Sequence, residues 1–191
     1  WPSKHGVHGF TEFYKGGIRA VRGSSIKLST YFDYLENEGI PAASVAWWPS
    51  HPAKESSYGA FRISNLAVSE DLRWMEDGVT PSEYQQILKS LILQPEDIPS
   101  AAMAQFFPDM ELDSKDDIVR SVLKITTHAL NVQLLATFAL DYGTGGHASI
   151  YFDALDHYKH LGMKYAPPQL KGVSDVDFQK YQHIVESAYR L

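Results

Sequence analysis

The chain has 191 residues, a formal net charge of -6 at pH 7 and no cysteine. The length fits one domain with an arm. The negative charge argues against a nucleic-acid-binding protein, which needs a basic surface to neutralise phosphates. The lack of cysteine excludes disulfides, thiol nucleophiles and cysteine-ligated metal centres. No apolar run approaches the roughly 20 residues that cross a bilayer, so we expect no transmembrane segment.

Residues 1–68 predict an irregular arm, rich in aromatic residues and proline, with one short helix. A helix capped by Ser24 or Ser25 is expected to end near Asn37. Three prolines exclude a continuous helix over residues 40–64. The run ASVAWWPSHP within that stretch predicts extended chain.

Trp47 and Trp48 are the candidate partner-docking residues of this arm. Two adjacent indole rings form an apolar group too large to leave in water. One interpretation is that the two rings pack on their own domain. The other is that they dock the arm on a neighbouring subunit.

Residues 69–191 predict a domain of helical hairpins, because apolar residues recur there at spacings of three and four. Ser69–Asp77 is expected to form a short helix. The next helix begins at Thr80-Pro81, where a capping box places proline at the first helical position. A further short helix is expected over Pro99–Phe107.

The most periodic stretch of the chain forms the centre of the predicted core. Ser114 is expected to cap its first helix, and a break near Leu130-Asn131 separates that helix from its partner. After a glycine-rich turn, a third helix is expected from Ile150 to Gly162. The helix starts lie roughly 33 residues apart, as in helix–turn–helix solenoids. We therefore predict an all-α superhelix of helical hairpins, a TPR/PPR-like solenoid, with an irregular N-terminal arm.

The best metal candidate is the segment DALDHYKH. On a helix, Asp153 faces His157 and Asp156 faces His160, each at i,i+4. Carboxylate and imidazole groups on helices build metal sites in bundles, but such a site needs further carboxylates from other helices. The opposite face carries the apolar residues, so the pattern favours a solvated face. Asp153, His157 and His160 are accordingly weak metal candidates only.

No catalytic or cofactor-binding residue is predicted. The loop from Tyr142 to His147 is rich in glycine but lacks the Lys-Ser/Thr pair of a phosphate-binding loop. Serine, histidine and aspartate occur without a nucleophile-elbow context. We therefore predict a protein that is not an enzyme and holds no cofactor.

The run from Gln94 to Leu170 resembles the core of mitochondrial cytochrome c oxidase subunit Va, called subunit VI in yeast. A Pro-Glu-Asp-Ile segment before a helix, the Leu130-Asn131 pair and a Leu-Gly-Met step that ends at Met163 occur in the same order in both. That family is a small all-α superhelix of helical hairpins on the matrix side of the oxidase.

The resemblance implies a non-catalytic accessory subunit of the respiratory chain, peripheral to the mitochondrial inner membrane on its matrix side. Its partners would be the other subunits of the electron-transport complex. One alternative is a helical-repeat interaction subunit of another large assembly. The second is a helical-bundle metalloenzyme that uses Asp153, His157 and His160.

Overall fold

A computed structural model describes residues 2–108, 113 and 115–190. It contains a two-stranded and a four-stranded sheet together with helices, so the all-α prediction is wrong. In chain order the elements are α1 (Pro2–His5), β1 (Thr11–Tyr14), β2 (Gly17–Ala20), α2 (Tyr31–Asn37), β3 (Ala42–Trp47), β4 (Arg62–Ser64), β5 (Val79–Thr80), α3 (Gln85–Leu91), α4 (Ser100–Ala104), α5 (Asp117–Tyr142), β6 (His147–Ile150), α6 (Ala154–Gly162), α7 (Asp175–Tyr181) and α8 (Ile184–Ala188). Short 3-10 turns cover Gly23–Ser25, Ser82–Tyr84, Pro95–Asp97 and Met163–Tyr165.

The chain forms two compact units. The sheet unit contains Trp1–Ile92 and Val132–Tyr151, and the helical unit contains Leu93–Asn131 and Phe152–Leu191. Helix α5 therefore contributes its first half to the helical unit and its second half to the sheet unit. The sequence predicts a single boundary near residue 68, and neither unit begins or ends there.

The four-stranded sheet has the order β5-β4-β3-β6. β3 runs parallel to both β4 and β6, whereas β4 and β5 are antiparallel. Parallel strands are usually covered on both faces, and β3 is buried along most of its length. The extended chain predicted over residues 43–52 is therefore correct for β3, but this strand is the middle of a sheet and not part of an irregular arm.

The apolar face of this sheet forms the core of the sheet unit. Val45, Ile63 and Val79 lie side by side on three neighbouring strands, since alternate residues of a strand point to the same face. The second half of α5 packs on them with five buried residues: Val132, Leu135, Ala136, Phe138 and Ala139. Burial of a large aliphatic side chain contributes about 1.5–3 kcal/mol, so this layer holds the unit together.

Two predicted helices of the first 80 residues are wrong in position or in kind. The helix expected from Ser24 or Ser25 begins at Tyr31, because Thr30 is its cap and accepts the amide of Asp33. The segment expected as a helix over Ser69–Asp77 forms turns held by a bridge between Val68 and Trp74. The helix expected after Thr80-Pro81 starts slightly later, as a 3-10 turn followed by α3.

Helix α5 is one continuous helix of 26 residues, so the break predicted near Leu130-Asn131 is wrong. Asn131 is fully buried. Its side chain donates to the Leu93 carbonyl at 3.0 Å and accepts the Leu93 amide at 2.8 Å. A residue typical of turns is accommodated inside a helix because it satisfies the backbone of a neighbouring segment.

The third helix predicted from Ile150 is also wrong at its start, because residues 147–150 form strand β6. The strand pairs with β3 from Ala42 onward, and the His147 amide donates to the Pro41 carbonyl at 2.8 Å. Gly146 is required at this approach. It has φ +92°, and a Cβ there would lie 2.3 Å from the Pro41 carbonyl oxygen.

The helical unit has its own core around Tyr158, which stacks on Phe106 and shares a hydrogen bond of 2.7 Å with Thr126. Burial raises the pKa of Tyr158 to about 12, although the Thr126 hydroxyl acts in the opposite direction. Gly162 lets α8 approach α6 closely, since a Cβ there would lie 2.7 Å from Ile184. The short helix expected over Pro99–Phe107 is present as α4.

The cap predicted at Ser114 lies outside the described residues. Two positions later, Asp116 accepts the amides of Ile118 at 2.9 Å and Val119 at 3.2 Å, which is the hydrogen-bond pattern of a helix cap. Within the described part of the chain, no helix combines the length and the apolar character that crossing a bilayer requires.

Candidate ligand-binding cavity

The face of the sheet opposite α5 is buried and polar. Ser44, Arg62 and Thr80 lie side by side across β3, β4 and β5, and Ser64 follows on the same face of β4. All four residues are buried. Burying a polar side chain without a hydrogen-bond partner costs free energy. A row of buried polar side chains therefore indicates a functional role for this face of the sheet.

A bulge at the end of β3 turns Trp47 toward this polar face. Val45 pairs with Ile63, but Trp47 pairs with Ser64, so Ala46 is an extra residue in the strand. Ala46 has φ +60°, a left-handed conformation that costs an alanine roughly 1–2 kcal/mol. Without the bulge, Trp47 would share the face of Val45. Bulges of this kind re-aim side chains beside binding sites.

A cavity of about 670 Å³ lies over this polar face, and we call it the aromatic cavity. Its apolar wall includes Phe32, Trp47 and Trp48, and its polar wall includes Ser44 and Arg62. Further lining comes from Pro49, Ser50, Pro52, Ala53, Lys54 and Ser64. Trp47 and Ser64, the last residues of β3 and β4, belong to the lining. The cavity therefore reaches the edge at which open parallel sheets bind their ligands. Its volume is typical of small-molecule sites.

Arg62 forms the charged wall of the aromatic cavity. Its Nη2 lies 2.7 Å from Glu36 Oε1, and the two side chains are only 9% and 10% exposed. The guanidinium also lies 5.0 Å from the centre of the Phe32 ring, within the range of a cation–π contact. Both charges are therefore compensated, which a buried ion pair requires.

Asp33 and Lys54 form a second ion pair at the cavity. Asp33 also accepts the amide and the hydroxyl of Thr30. Burial acts to raise the pKa of Asp33, but the hydrogen bonds from Lys54 and Thr30 outweigh it and lower the pKa. Asp33 is thus ionised at neutral pH, and donors from the protein already occupy its oxygens.

His51 shares a hydrogen bond with Ser64, with 3.2 Å between Nδ1 and Oγ. Burial, helped by the positive charge of Arg22, lowers the pKa of His51, while Asp77 acts in the opposite direction. The lowered pKa favours the neutral form of the imidazole. Its contact fixes the orientation of a hydroxyl in the cavity wall.

Trp47 and Trp48, the predicted docking residues, both line the aromatic cavity. Trp47 packs edge-on to Phe32 at 6.0 Å between ring centres, and its Nε1 donates to the Ser149 carbonyl at 3.1 Å. Trp48 contacts Phe10 at 5.1 Å. The two residues are still 38% and 39% exposed, so their neighbours do not fully enclose them. Docking on another subunit stays a prediction.

The weak metal candidates lie on and just before α6 in the helical unit. Asp153 Oδ2 is 3.5 Å from His157 Nε2, and Asp156 Oδ2 is 3.4 Å from His160 Nε2. His160 therefore pairs with Asp156 and not with Asp153 and His157. Among the described residues, no three histidine, aspartate or glutamate side chains come together as a metal site needs.

Sequence reasoning missed Phe32, Ser44, Lys54, Arg62 and Ser64 as site residues. One signal was readable, because Ser44 and Val45 alternate in β3 as Arg62 and Ile63 do in β4, a pattern typical of strands with two unlike faces. Neither the bulge at Ala46 nor the approach of α2 to the sheet can be recognised in the local sequence. These two features decide which residues line the aromatic cavity.

Comparison with known proteins identifies no relative for this chain: no protein-family model, no curated protein and no solved structure matches it. A proposal about its function therefore depends on the geometry of the aromatic cavity.

Proposed function

We propose that the sheet unit binds a small organic molecule with a flat aromatic body in the aromatic cavity. The observation that carries this proposal is the position and lining of the cavity. It reaches from the polar face of the sheet to the carboxyl ends of β3 and β4, and its lining combines four aromatic residues with buried polar residues. Few polar groups in a largely apolar pocket are typical of ligand sites.

The test uses 2-naphthylmethanol as an aromatic probe and cyclohexylmethanol as its aliphatic counterpart, both titrated calorimetrically. We expect the aromatic probe to bind more tightly, because rings gain about 0.5–1.5 kcal/mol from offset and edge contacts beyond their buried area. Trp47→Leu should weaken its binding roughly threefold to tenfold on the same basis. Phe13→Leu is the matched control, since Phe13 is 89% exposed and lies outside the cavity. If neither probe binds, the proposal is wrong.

A second candidate function is metal-dependent chemistry at α6. The observation that favours it is the alignment of two carboxylate–imidazole pairs, Asp153 with His157 and Asp156 with His160. Each pair offers two ligands, whereas zinc takes four. Because no third histidine, aspartate or glutamate among the described residues joins either pair, water or substrate would complete the coordination. The all-helical fold predicted to surround such a site is wrong.

Manganese or zinc titration of the metal-free protein tests this candidate. Stoichiometric binding that Asp156→Asn and His160→Gln both remove would support it, and His128→Gln is the control. Uptake that is unchanged in these two variants and also in Asp153→Asn and His157→Gln would exclude α6 as the site.

The accessory-subunit hypothesis stays a prediction, as do its partners and its location on the matrix side of the mitochondrial inner membrane. The helical-hairpin architecture that the resemblance implied is wrong, so the proposed function does not depend on it. Co-purification with haem–copper oxidase subunits is the observation that would support it.

A further inference from the structure

We propose that the ligand of the aromatic cavity is a flat aromatic ring that bears an anionic oxygen group, with the ring against Trp47 and the anion on Arg62. This inference rests on the proposed ligand-binding function and names the chemistry of its ligand. A carboxylate and a phosphate share the chemistry that the cavity recognises.

The aromatic end of the cavity is ready to receive a ring. Phe32 meets Trp47 edge-on, and both rings, with Trp48, line the cavity. Two contacts fix the position of Trp47: the hydrogen bond from its Nε1 to the Ser149 carbonyl, and the ring of Tyr151 at 5.6 Å between ring centres. A ring whose position is fixed loses little conformational entropy on binding a second ring.

The polar end of the cavity has unused donors. A guanidinium carries five N–H groups, and within the described residues Arg62 donates to a side chain through Nη2 alone, to Glu36. The remaining N–H groups belong to a buried side chain that lines the cavity. Their planar arrangement matches a carboxylate or phosphate, which can accept two parallel hydrogen bonds.

The acceptors at this end already have donors. Glu36 accepts from Arg62, from the Ser56 hydroxyl and from the Ser57 amide. Asp33 accepts from Thr30 and Lys54. Three protein donors already share each carboxylate, so a ligand that donates hydrogen bonds competes with them. A ligand that accepts hydrogen bonds meets the unused donors of Arg62. Acceptor groups are therefore favoured, and an ionised acceptor gains most because charge-assisted hydrogen bonds are about twice as strong as neutral ones.

The experiment compares three probes that share one ring: 2-naphthoate, 2-naphthyl phosphate and the neutral 2-naphthylmethanol. Dissociation constants are measured by calorimetry on the intact 191-residue chain. We expect at least one anionic probe to bind about tenfold more tightly than the alcohol, as a charge-assisted bond to a buried guanidinium predicts. The comparison of the two anions tells a carboxylate site from a phosphate site.

The double variant Arg62→Met/Glu36→Gln tests the role of Arg62 without leaving one buried charge unpaired. We expect it to bind the anionic probes and the alcohol equally. Arg73→Met/Asp71→Asn is the matched control. It removes an exposed ion pair of the same kind outside the cavity lining, and it should keep the tenfold preference.

A second measurement uses the wild-type protein, so it does not depend on whether a variant folds. The side-chain Nε–Hε signal of Arg62 in a ¹⁵N NMR spectrum should shift more with 2-naphthoate or 2-naphthyl phosphate than with 2-naphthylmethanol, because only the anions form a charge-assisted hydrogen bond. Equal affinity for all three probes, with the same shift of that signal, would overturn the anionic ligand and leave the proposed function intact. If none of the three probes binds, both the anionic ligand and the proposed ligand-binding function are wrong.

Discussion

At the scale of single residues, Asp116 joins two parts of the helical unit. Its Oδ1 accepts the first amides of α5, and its Oδ2 accepts the Tyr181 hydroxyl at 2.6 Å. Burial acts to raise the pKa of Asp116, but these hydrogen bonds and the nearby Lys180 outweigh it and lower the pKa. The pKa of Tyr181 is raised, by burial first and then by the Asp116 carboxylate.

The variant Asp116→Asn should lower the free energy of unfolding at pH 7 by about 1–2 kcal/mol, because a capping carboxylate and its charge-assisted bonds are lost. The folded-state pKa lies below the unfolded value of about 3.9. The stabilisation is therefore present above about pH 4 and is lost as the pH falls through the folded pKa. Urea denaturation at several pH values measures this change.

The adjacent variant Asp117→Asn is the control for Asp116. Asp117 is exposed and pairs with Arg120 on the surface, so its loss should change stability by less than about 1 kcal/mol. A difference between Asp116→Asn and the wild type that stays constant from pH 7 to pH 2 would contradict the role of the ionised carboxylate.

At the scale of elements, Asn131 joins α5 to the segment that follows α3. The side chain satisfies both backbone groups of Leu93 from inside the helix. The variant Asn131→Ala should lower the free energy of unfolding by about 2–3 kcal/mol, although alanine favours helix, because the amide and carbonyl of the partly buried Leu93 lose their partners. Chemical denaturation measures the loss.

The matched control on the same helix is Gln133→Ala. Gln133 is exposed, and its amide contacts only Thr137 among the described residues. Its removal should change the free energy of unfolding by no more than about 0.5 kcal/mol. Equal effects of the two variants would mean that the Asn131 bonds to Leu93 contribute nothing.

The strand β6 explains the largest error of sequence reasoning at this scale. Ile150, Ala154, Tyr158 and Leu161 fit a helical period, so the segment predicted one helix. Ile150 instead pairs with Val45 in the sheet. A strand of four residues has almost no local signal, and its pairing with a distant strand outweighs the weak local preference.

At the scale of the whole molecule, the described chain has two separate cores. The core of the sheet unit contains Leu88 and that of the helical unit contains Ile184, both fully buried. Leu88→Ala and Ile184→Ala should each cost about 2–5 kcal/mol. Cooperative units can open separately, so each variant should reduce hydrogen-exchange protection chiefly in its own unit.

Mass-spectrometric hydrogen exchange on peptides from both units measures this difference. Peptides of β3 and β4 report on the sheet unit, and peptides of α6 and α8 report on the helical unit. An equal loss of protection in both units with either variant would show that the chain unfolds as one cooperative body.

The sequence by itself determined the features that depend on neighbouring residues. These are the extended chain around Val45, the amphipathic pattern of α5, the short helix α4 and the lack of a helix through the prolines of residues 40–64. Helical period and proline geometry act within a few positions, so they can be read without the fold. Helical period does not determine how helices pack against one another, so it does not establish a solenoid.

Only the tertiary structure decided the class of fold and the candidate site. Pairing of β3 with β6 joins residues such as Trp47 and Ser149 that are 102 positions apart. The bulge at Ala46 then turns Trp47 onto the polar face, beside Arg62 and Phe32. Contacts between distant segments gain their free energy only when the chain has folded. The aromatic cavity therefore has no counterpart in any single stretch of the sequence.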